Sequence, residues 1–133
     1  MPRKKEKPLG NLELKVMSVV WNLHKATVRE VKNALRRRKP LAYTTVLSVM
    51  QVLEKKGFLR HETLERKYVY YPKVSREEVV KSNIKHLANR LFDGSAELLV
   101  VNVLESQDLS PDELRRLKQL ITAKERQTQK KSR

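Results

Sequence analysis

Apolar side chains recur three or four positions apart in successive segments at the start of the chain, which predicts a series of helices. The first predicted helix spans residues 9–24, with Asn11 as its N-cap. The second begins at a capping box, in which Thr27 accepts from a backbone N–H and Glu30 reaches back to the cap. It ends before Pro40, because proline cannot continue a helix.

The third predicted helix, from Tyr43 to Lys56, has two faces of different chemistry. Its apolar stripe consists of Val46, Val49, Met50 and Leu53. The opposite face carries short hydrogen-bonding groups and one lysine, on Thr44, Thr45, Ser48, Gln51 and Lys55. Charged side chains normally dominate an exposed helix face, so this polar face favours a helix that reads base edges in a DNA groove. The alternative is an ordinary solvated face.

Two β-prone runs, residues 58–64 and 67–71, flank Glu65 and Arg66 and predict a hairpin with a polar tip. The second run contains three tyrosines, Tyr68, Tyr70 and Tyr71. These rings could stack on bases, but cross-strand packing is favoured in a small sheet.

Three further helices are predicted after the hairpin. Capping boxes at Ser75 and Ser110 open the first and the last, and Ser95 precedes a nearly all-apolar segment that favours a helix buried on most sides. Asn102 interrupts that segment, either as a partnered polar group that fixes dimer register or as a point of vulnerability. The apolar surface exceeds what three short helices hide alone, which predicts an obligate dimer. The predicted interface residues are Val80, Ile84, Leu87, Leu91, Leu98, Leu99, Val101, Leu104, Leu114 and Leu117.

The net charge of the chain is unevenly distributed. With 30 basic and 15 acidic residues among 133, the net charge is +15. Residues 1–74 carry +12, residues 75–121 carry −1 and residues 122–133 carry +4. A polyanion is the expected partner of the basic half, nucleic acid before anionic membrane. The run of four cations before Pro40, namely Arg36, Arg37, Arg38 and Lys39, exceeds what a helix dipole needs and predicts that some of them contact phosphates. For each residue taken singly, a plain solvated charge is the alternative.

Other function classes find little support. The chain has no cysteine, no apolar run long enough to span a membrane and no signal segment, so we expect a cytoplasmic protein without membrane insertion. Phosphate-binding loops and nucleophile elbows are also absent, so no enzyme activity and no cofactor are expected. No metal site is expected either, because His24, His61 and His86 lack ligand-spaced neighbours.

The order helix, helix, helix, hairpin is that of a winged helix-turn-helix DNA-binding domain. We therefore predict a mainly α protein, in which a winged helix (residues 9–74) precedes a three-helix dimerisation domain (residues 75–121). A basic flexible arm, residues 1–8, and a basic flexible tail, residues 122–133, flank these two domains.

An ordered set of residues across positions 9–121 resembles the penicillinase-repressor type of bacterial transcriptional repressors, the BlaI, MecI and CopY relatives. The matching residues are Leu12, Glu13, Val16, Met17, Trp21, the runs Leu41–Val46, Leu53–Phe58 and Tyr68–Pro72, and, within Leu98–Leu117, Asn102, Glu105 and Asp108–Ser110.

The resemblance implies a homodimeric repressor on a dyad-symmetric operator in double-stranded DNA. It implies that the third helix enters the major groove, so that Thr44, Thr45, Ser48 and Gln51 contact bases or phosphates. Arg66 and Lys67 at the hairpin tip would form the wing. Several relatives are inactivated when a membrane sensor-protease system triggers cleavage, and the matching bond here is Asn102–Val103. The copper-responsive branch carries cysteine pairs, which this chain lacks.

Two alternatives remain open. The high net charge and basic termini would also suit a non-specific architectural DNA-binding protein, with similar affinity for any duplex. A ligand-responsive regulator resembling the MarR type would share the winged helix, although the chain has few aromatic residues for lining a ligand cavity.

Overall fold

The computed structural model describes residues 8–35 and 40–131. These residues form two compact units, which divide between Gly94 and Ser95. The elements of the first unit are α1 (Asn11–Leu23), β1 (Ala26–Thr27), α2 (Val28–Ala34), α3 (Tyr43–Lys55), β2 (Leu59–Leu64), β3 (Lys67–Pro72) and α4 (Arg76–Phe92). The second unit contains α5 (Ala96–Ser106) and α6 (Pro111–Lys131). The predicted class, mainly α with a winged helix at the N-terminal end, is confirmed.

Local side-chain caps begin four of the helices. The predicted capping boxes at Thr27, Ser75 and Ser110 are all present, and the Ser95 hydroxyl accepts from the N–H of Leu98. The prediction for α1 was wrong by one residue, since its N-cap is Gly10 rather than Asn11. The reason is the Glu13 carboxylate, which accepts the Gly10 N–H at 2.9 Å and so places the cap three residues before itself.

The core of the first unit lies between α1, α2, α3 and the sheet. Apolar residues three or four positions apart on each helix face inward, and both strands of the hairpin add one or more large side chains. The largest fully buried side chains are Tyr70, Phe58, Met17, Met50, Leu53, Leu59, Val16, Val20, Val31 and Val46. Trp21 is partly buried and packs against this cluster.

The sheet has the strand order β1-β3-β2, and both pairings are antiparallel. In the hairpin, Leu64 pairs with Lys67, which leaves Glu65 and Arg66 as the two turn residues. Both turn residues have positive φ, 50° and 66°, as a two-residue type I′ hairpin turn requires. The sequence pattern missed β1, because a two-residue strand has too few positions for an alternation to be visible.

The second unit differs from its prediction in two respects. The apolar side chains of α5 were expected to be buried on most sides, yet none of them is buried within the described residues of this chain. Helix α6 was expected to end near Ile121 with a frayed tail after it, but it continues to Lys131. Residues 122–131 are mostly Ala, Lys, Glu, Arg and Gln, which have high helix propensity. None of the described helices is both long and apolar enough to cross a membrane.

Candidate nucleic-acid interface

The exposed face of α3 is the polar face predicted from the sequence. Val46, Met50 and Leu53 are fully buried, which fixes the rotation of the helix about its axis. The opposite side is exposed and carries Thr44, Thr45, Ser48, Gln51 and Lys55. These side chains offer neutral donors and acceptors plus one cation, the groups that hydrogen-bond to base edges and phosphates.

Val52 also lies on this face, and sequence reasoning did not select it. Its side chain is 44% exposed, in spite of being apolar. An exposed apolar group on such a face can contact the methyl group of thymine, which is part of the major-groove pattern. The signal was available in the sequence, because Val52 falls outside the apolar stripe of Val46 and Met50.

A salt bridge and a hydrogen bond hold the C-terminal end of α3 against its neighbours. Lys56 Nζ lies 2.8 Å from Glu13 Oε2 on α1, and Nδ1 of His61 on β2 lies 2.7 Å from Glu54 Oε2. Burial alone would raise the pKa of Glu13, but the hydrogen bonds from Lys56 and the Gly10 N–H outweigh it and lower the pKa below its usual value. These contacts connect the C-terminal end of α3 to α1 and to β2.

The tip of the wing carries the predicted cations. Arg66 and Lys67 are exposed, and Arg66 occupies the second turn position with its φ of 66°. A left-handed backbone is costly for a residue other than glycine, by about 1–2 kcal/mol. The tip thus retains an arginine at a position where a glycine would be less strained.

A groove of about 710 Å³ joins the wing tip to α3 and α2. Gln51 lines it from α3, and Arg66 and Lys67 line it from the wing, so the structure brings together three of the predicted contact residues. Thr44, Thr45, Ser48 and Lys55 are not among its lining residues. The groove has a mixed lining of cations and hydrogen-bonding groups together with one carboxylate, that of Glu30. Cations and hydrogen-bonding groups are the side chains that contact a nucleic-acid backbone.

Sequence reasoning missed two aromatic–cation features at this groove and on the wing. Arg29 of α2 lies over the Tyr43 ring at 5.8 Å, and both residues line the groove. The pairing joins two helices, so no spacing rule along the chain could indicate it.

On the hairpin, Arg60 stacks over the Tyr71 ring at 4.3 Å, and His61 stacks on the Tyr68 ring at 4.3 Å. Burial raises the pKa of the Tyr70 hydroxyl. The tyrosines thus make the packing contacts expected of a small sheet.

The four cations Arg36, Arg37, Arg38 and Lys39 lie outside the described residues. Within the described part of the chain, no group of three or more histidine or acidic side chains could hold a metal ion.

The predicted dimerisation residues are solvent-accessible within the single chain. On α4, Val80, Ile84, Leu87 and Leu91 form an exposed apolar stripe. Within the second unit, α5 and α6 line an apolar groove of about 700 Å³, to which Leu104 and Leu117 contribute. That groove also includes residues the sequence analysis had not selected, namely Val100, Leu120 and Ile121. Leu98, Val101 and Leu114 are exposed, whereas Leu99 is partly buried.

The candidate cleavage bond, Asn102–Val103, lies in the middle of α5. Both residues are exposed within the chain. The Asn102 side chain donates through Nδ2 to the backbone oxygen of Leu98 at 2.8 Å, so its partner is a carbonyl of the preceding helical turn.

These observations define a winged-helix protein of the kind that regulates transcription by binding DNA. Comparison with known proteins gives the family: the penicillinase repressor model matches residues 9–123, and the chain belongs to that family.

Two curated relatives agree with this assignment. The penicillinase repressor of Bacillus licheniformis is 29% identical over 118 residues, covering 89% of this chain and 92% of that protein. The transcriptional regulator BlaI of Mycobacterium tuberculosis is 37% identical over 99 residues, covering 73% of this chain and 72% of that protein. Among solved structures, the monomeric form of Bacillus licheniformis BlaI in complex with the blaP half-operator is 28% identical, with a TM-score of 0.46, covering 54% of this chain and 88% of that chain.

Proposed function

We propose that this protein is a dimeric, sequence-specific transcriptional repressor that binds a pseudo-palindromic operator with α3 in the major groove. One observation carries the proposal: the exposed face of α3 consists of Thr44, Thr45, Ser48, Gln51, Val52 and Lys55, while its opposite face is locked into the core. Membership of a repressor family supports the same function.

The wing supplies contacts of a second kind. Arg66 and Lys67 sit at the hairpin tip and share a groove with Gln51, so a duplex that receives α3 also meets two cations of the wing. Contacts to phosphates orient a protein on the duplex, and contacts to bases select the sequence. In this proposal α3 selects the sequence, whereas the wing and the predicted phosphate ligands at 36–39 add affinity.

Dimerisation is proposed from the apolar surface of α4, α5 and α6. Ile84 on α4 is 51% exposed and Leu120 on α6 is 66% exposed. Exposed apolar stripes of this length are unfavourable in water and mark protein interaction sites. A second copy of the same chain covers them, and its two-fold symmetry places two α3 helices on two half-sites.

Relief of repression by a sensor-protease system that triggers cleavage of Asn102–Val103 completes the proposal. The bond lies within a helix, so a protease must first open α5 locally, and cleavage then divides the apolar face that α5 contributes to the dimer. The expected product is a fragment ending at Asn102, detected by mass spectrometry of protein from cells in which the target genes are switched on. An intact chain in such cells contradicts this route.

The central experiment is selection of bound sequences from random duplex DNA, followed by affinity measurements at one fixed salt concentration. The wild-type protein should enrich a pseudo-palindromic sequence bound by two protomers. The double variant Thr45→Ala, Gln51→Ala should lose at least about 1,000-fold in affinity for that sequence and approach its affinity for random DNA, because the dimer loses four base contacts that each cost about 1 kcal/mol or more.

The matched control is the double variant Gln119→Ala, Thr122→Ala, which makes the same chemical changes on an exposed part of α6. It should bind the selected sequence as the wild type does. If the wild type enriches no sequence and its binding simply falls as salt rises, the proposal is wrong and the protein is an architectural polycation.

A further inference from the structure

The segment that joins the wing to α4 is tied to the end of α1. The indole Nε1–H of Trp21 donates to the backbone oxygen of Val74 at 2.9 Å. Arg76 Nη2 donates to the side-chain oxygen of Asn22 at 2.8 Å, and the same guanidinium lies 5.5 Å from the centre of the Trp21 ring. Two consecutive residues of α1, Trp21 and Asn22, thus hold the backbone carbonyl of Val74 and the side chain of Arg76.

The connection has little freedom to bend. Only Lys73, Val74 and Ser75 separate the end of β3 from the start of α4. The backbone N–H of Lys73 donates to the Phe58 oxygen at 2.8 Å, Val74 is 6% exposed in the core, and Ser75 is the N-cap of α4. The segment contains no glycine, and each of its three residues is held by a different contact.

Helix α4 itself links two surfaces with different roles. Val79, one turn after Arg76, is 5% exposed and belongs to the core of the winged helix. Further along the same helix, Ile84, Leu87 and Leu91 form the exposed stripe assigned above to the dimer interface. The helix is continuous over 17 residues, which is about 25 Å at 1.5 Å per residue. A small change of direction at Arg76 therefore becomes a displacement of several ångströms at Leu91.

We propose that Arg76, acting with Trp21 and Asn22, is a positioning residue that sets the separation between half-sites accepted by the dimer. The contacts around Arg76 fix the direction in which α4 leaves the winged helix, and this direction fixes how far apart the two α3 helices stand. The inference rests on the proposed function, because it needs a dimer that binds two half-sites. Arg76 touches no DNA in this assignment.

Two variants each remove one partner of the hydrogen bond between Arg76 and Asn22. Arg76→Ala removes the guanidinium, whereas Asn22→Ala removes its hydrogen-bond acceptor on α1 without changing the net charge. Both side chains are exposed, so neither change leaves a cavity in the core. Lys81→Ala is the control, because it removes one exposed positive charge from the same helix away from the cluster.

The experiment measures binding to the selected operator, to operators lengthened or shortened by one or two base pairs between half-sites, and to a single half-site. The wild type should prefer one separation by at least about tenfold, since only that geometry lets both half-sites bind together. Arg76→Ala and Asn22→Ala should keep wild-type affinity for the half-site and lose most of the preference for one separation. A purely structural role would lower the half-site affinity as well.

Retention of the wild-type preference in both variants overturns the inference. Failure of the wild-type protein to distinguish an operator from random DNA is a different result, because it contradicts the proposed function itself. In that case the contacts around Arg76 are tested without DNA, by the fluorescence of Trp21, which is the only tryptophan in the chain. Its acrylamide quenching should increase in Arg76→Ala and not in Lys81→Ala, and unchanged quenching in Arg76→Ala rejects the contacts around Arg76.

Discussion

Nδ1 of His61 lies 2.7 Å from both carboxylate oxygens of Glu54, so the last turn of α3 is tied directly to the first half of the hairpin. The His61 ring also stacks on Tyr68 of the neighbouring strand. The proposed recognition helix and the proposed wing thus share one contact, although they approach a duplex through different groups.

Removal of the Glu54 carboxylate should therefore destabilise the winged helix. Glu54→Ala is expected to lower the free energy of unfolding by about 1 kcal/mol, because the pair is about two-thirds shielded from water. The control is Glu62→Ala, whose partner Arg60 lies 3.0 Å away in an exposed pair. Urea titration followed by circular dichroism should show a clearly smaller effect for Glu62→Ala, and equal effects for the two variants contradict the prediction.

Burial raises the pKa of Glu13, but the hydrogen bonds from Lys56 and Gly10 and the charge of Lys56 together outweigh it, so the pKa is lowered in the folded state and stability depends on pH. The contribution of Glu13 is complete above its ordinary value of 4.5 and is lost as the pH falls through the lower folded value. The difference in unfolding free energy between the wild type and Glu13→Gln should consequently shrink as the pH is lowered from neutral through this range. Chemical denaturation across the pH series measures it.

Gln119→Ala is the comparison for this pH series, because it changes an exposed side chain of α6 that has no titratable group. The difference between the wild type and Gln119→Ala should stay constant with pH. A constant difference for Glu13→Gln as well would show that the pairing with Lys56 does not contribute.

The two wing-tip residues with positive φ, Glu65 and Arg66, allow an effect on stability to be distinguished from an effect on DNA binding. Both Glu65→Gly and Arg66→Gly relieve a left-handed residue, and each should raise the free energy of unfolding by about 0.5 kcal/mol after the entropy cost of glycine in the unfolded chain. Only Arg66→Gly removes a proposed phosphate ligand, so only this variant should weaken DNA binding and reduce the salt slope of the dimer by about two, one for each protomer. Unfolding curves and binding at several salt concentrations test the pair. Equal DNA affinity of the two variants would remove Arg66 from the interface.

The exposed apolar stripe of α4 leads to a prediction about dimer formation. Ile84→Asp places a charge where a second chain is proposed to pack, so the variant should be monomeric at micromolar concentrations by light scattering, with the winged helix still folded. Lys85→Asp introduces the same side chain at the next, exposed position and should remain dimeric. A dimeric Ile84→Asp protein would place the interface elsewhere.

Features that depend on neighbours within four residues were predictable from the sequence. The capping boxes at Thr27, Ser75 and Ser110 gave the starts of three helices, because both partners of each box lie three positions apart. The polar face of α3 followed from helical periodicity in the same way. The error at the start of α1 arose because both Gly10 and Asn11 can serve as caps, and the reach of Glu13 decided between them.

What the sequence by itself determined was therefore the set of helices, the hairpin, the polar face of α3 and the separation of charge between the two halves of the chain, since all of these depend on residues close together in the chain. Only the tertiary structure decided which distant residues meet. The contact between Trp21 and Val74 joins positions 53 apart, and that between Lys56 and Glu13 joins positions 43 apart. No periodicity encodes such pairs, because the separation in sequence at which two elements touch depends on how all the elements pack around the core.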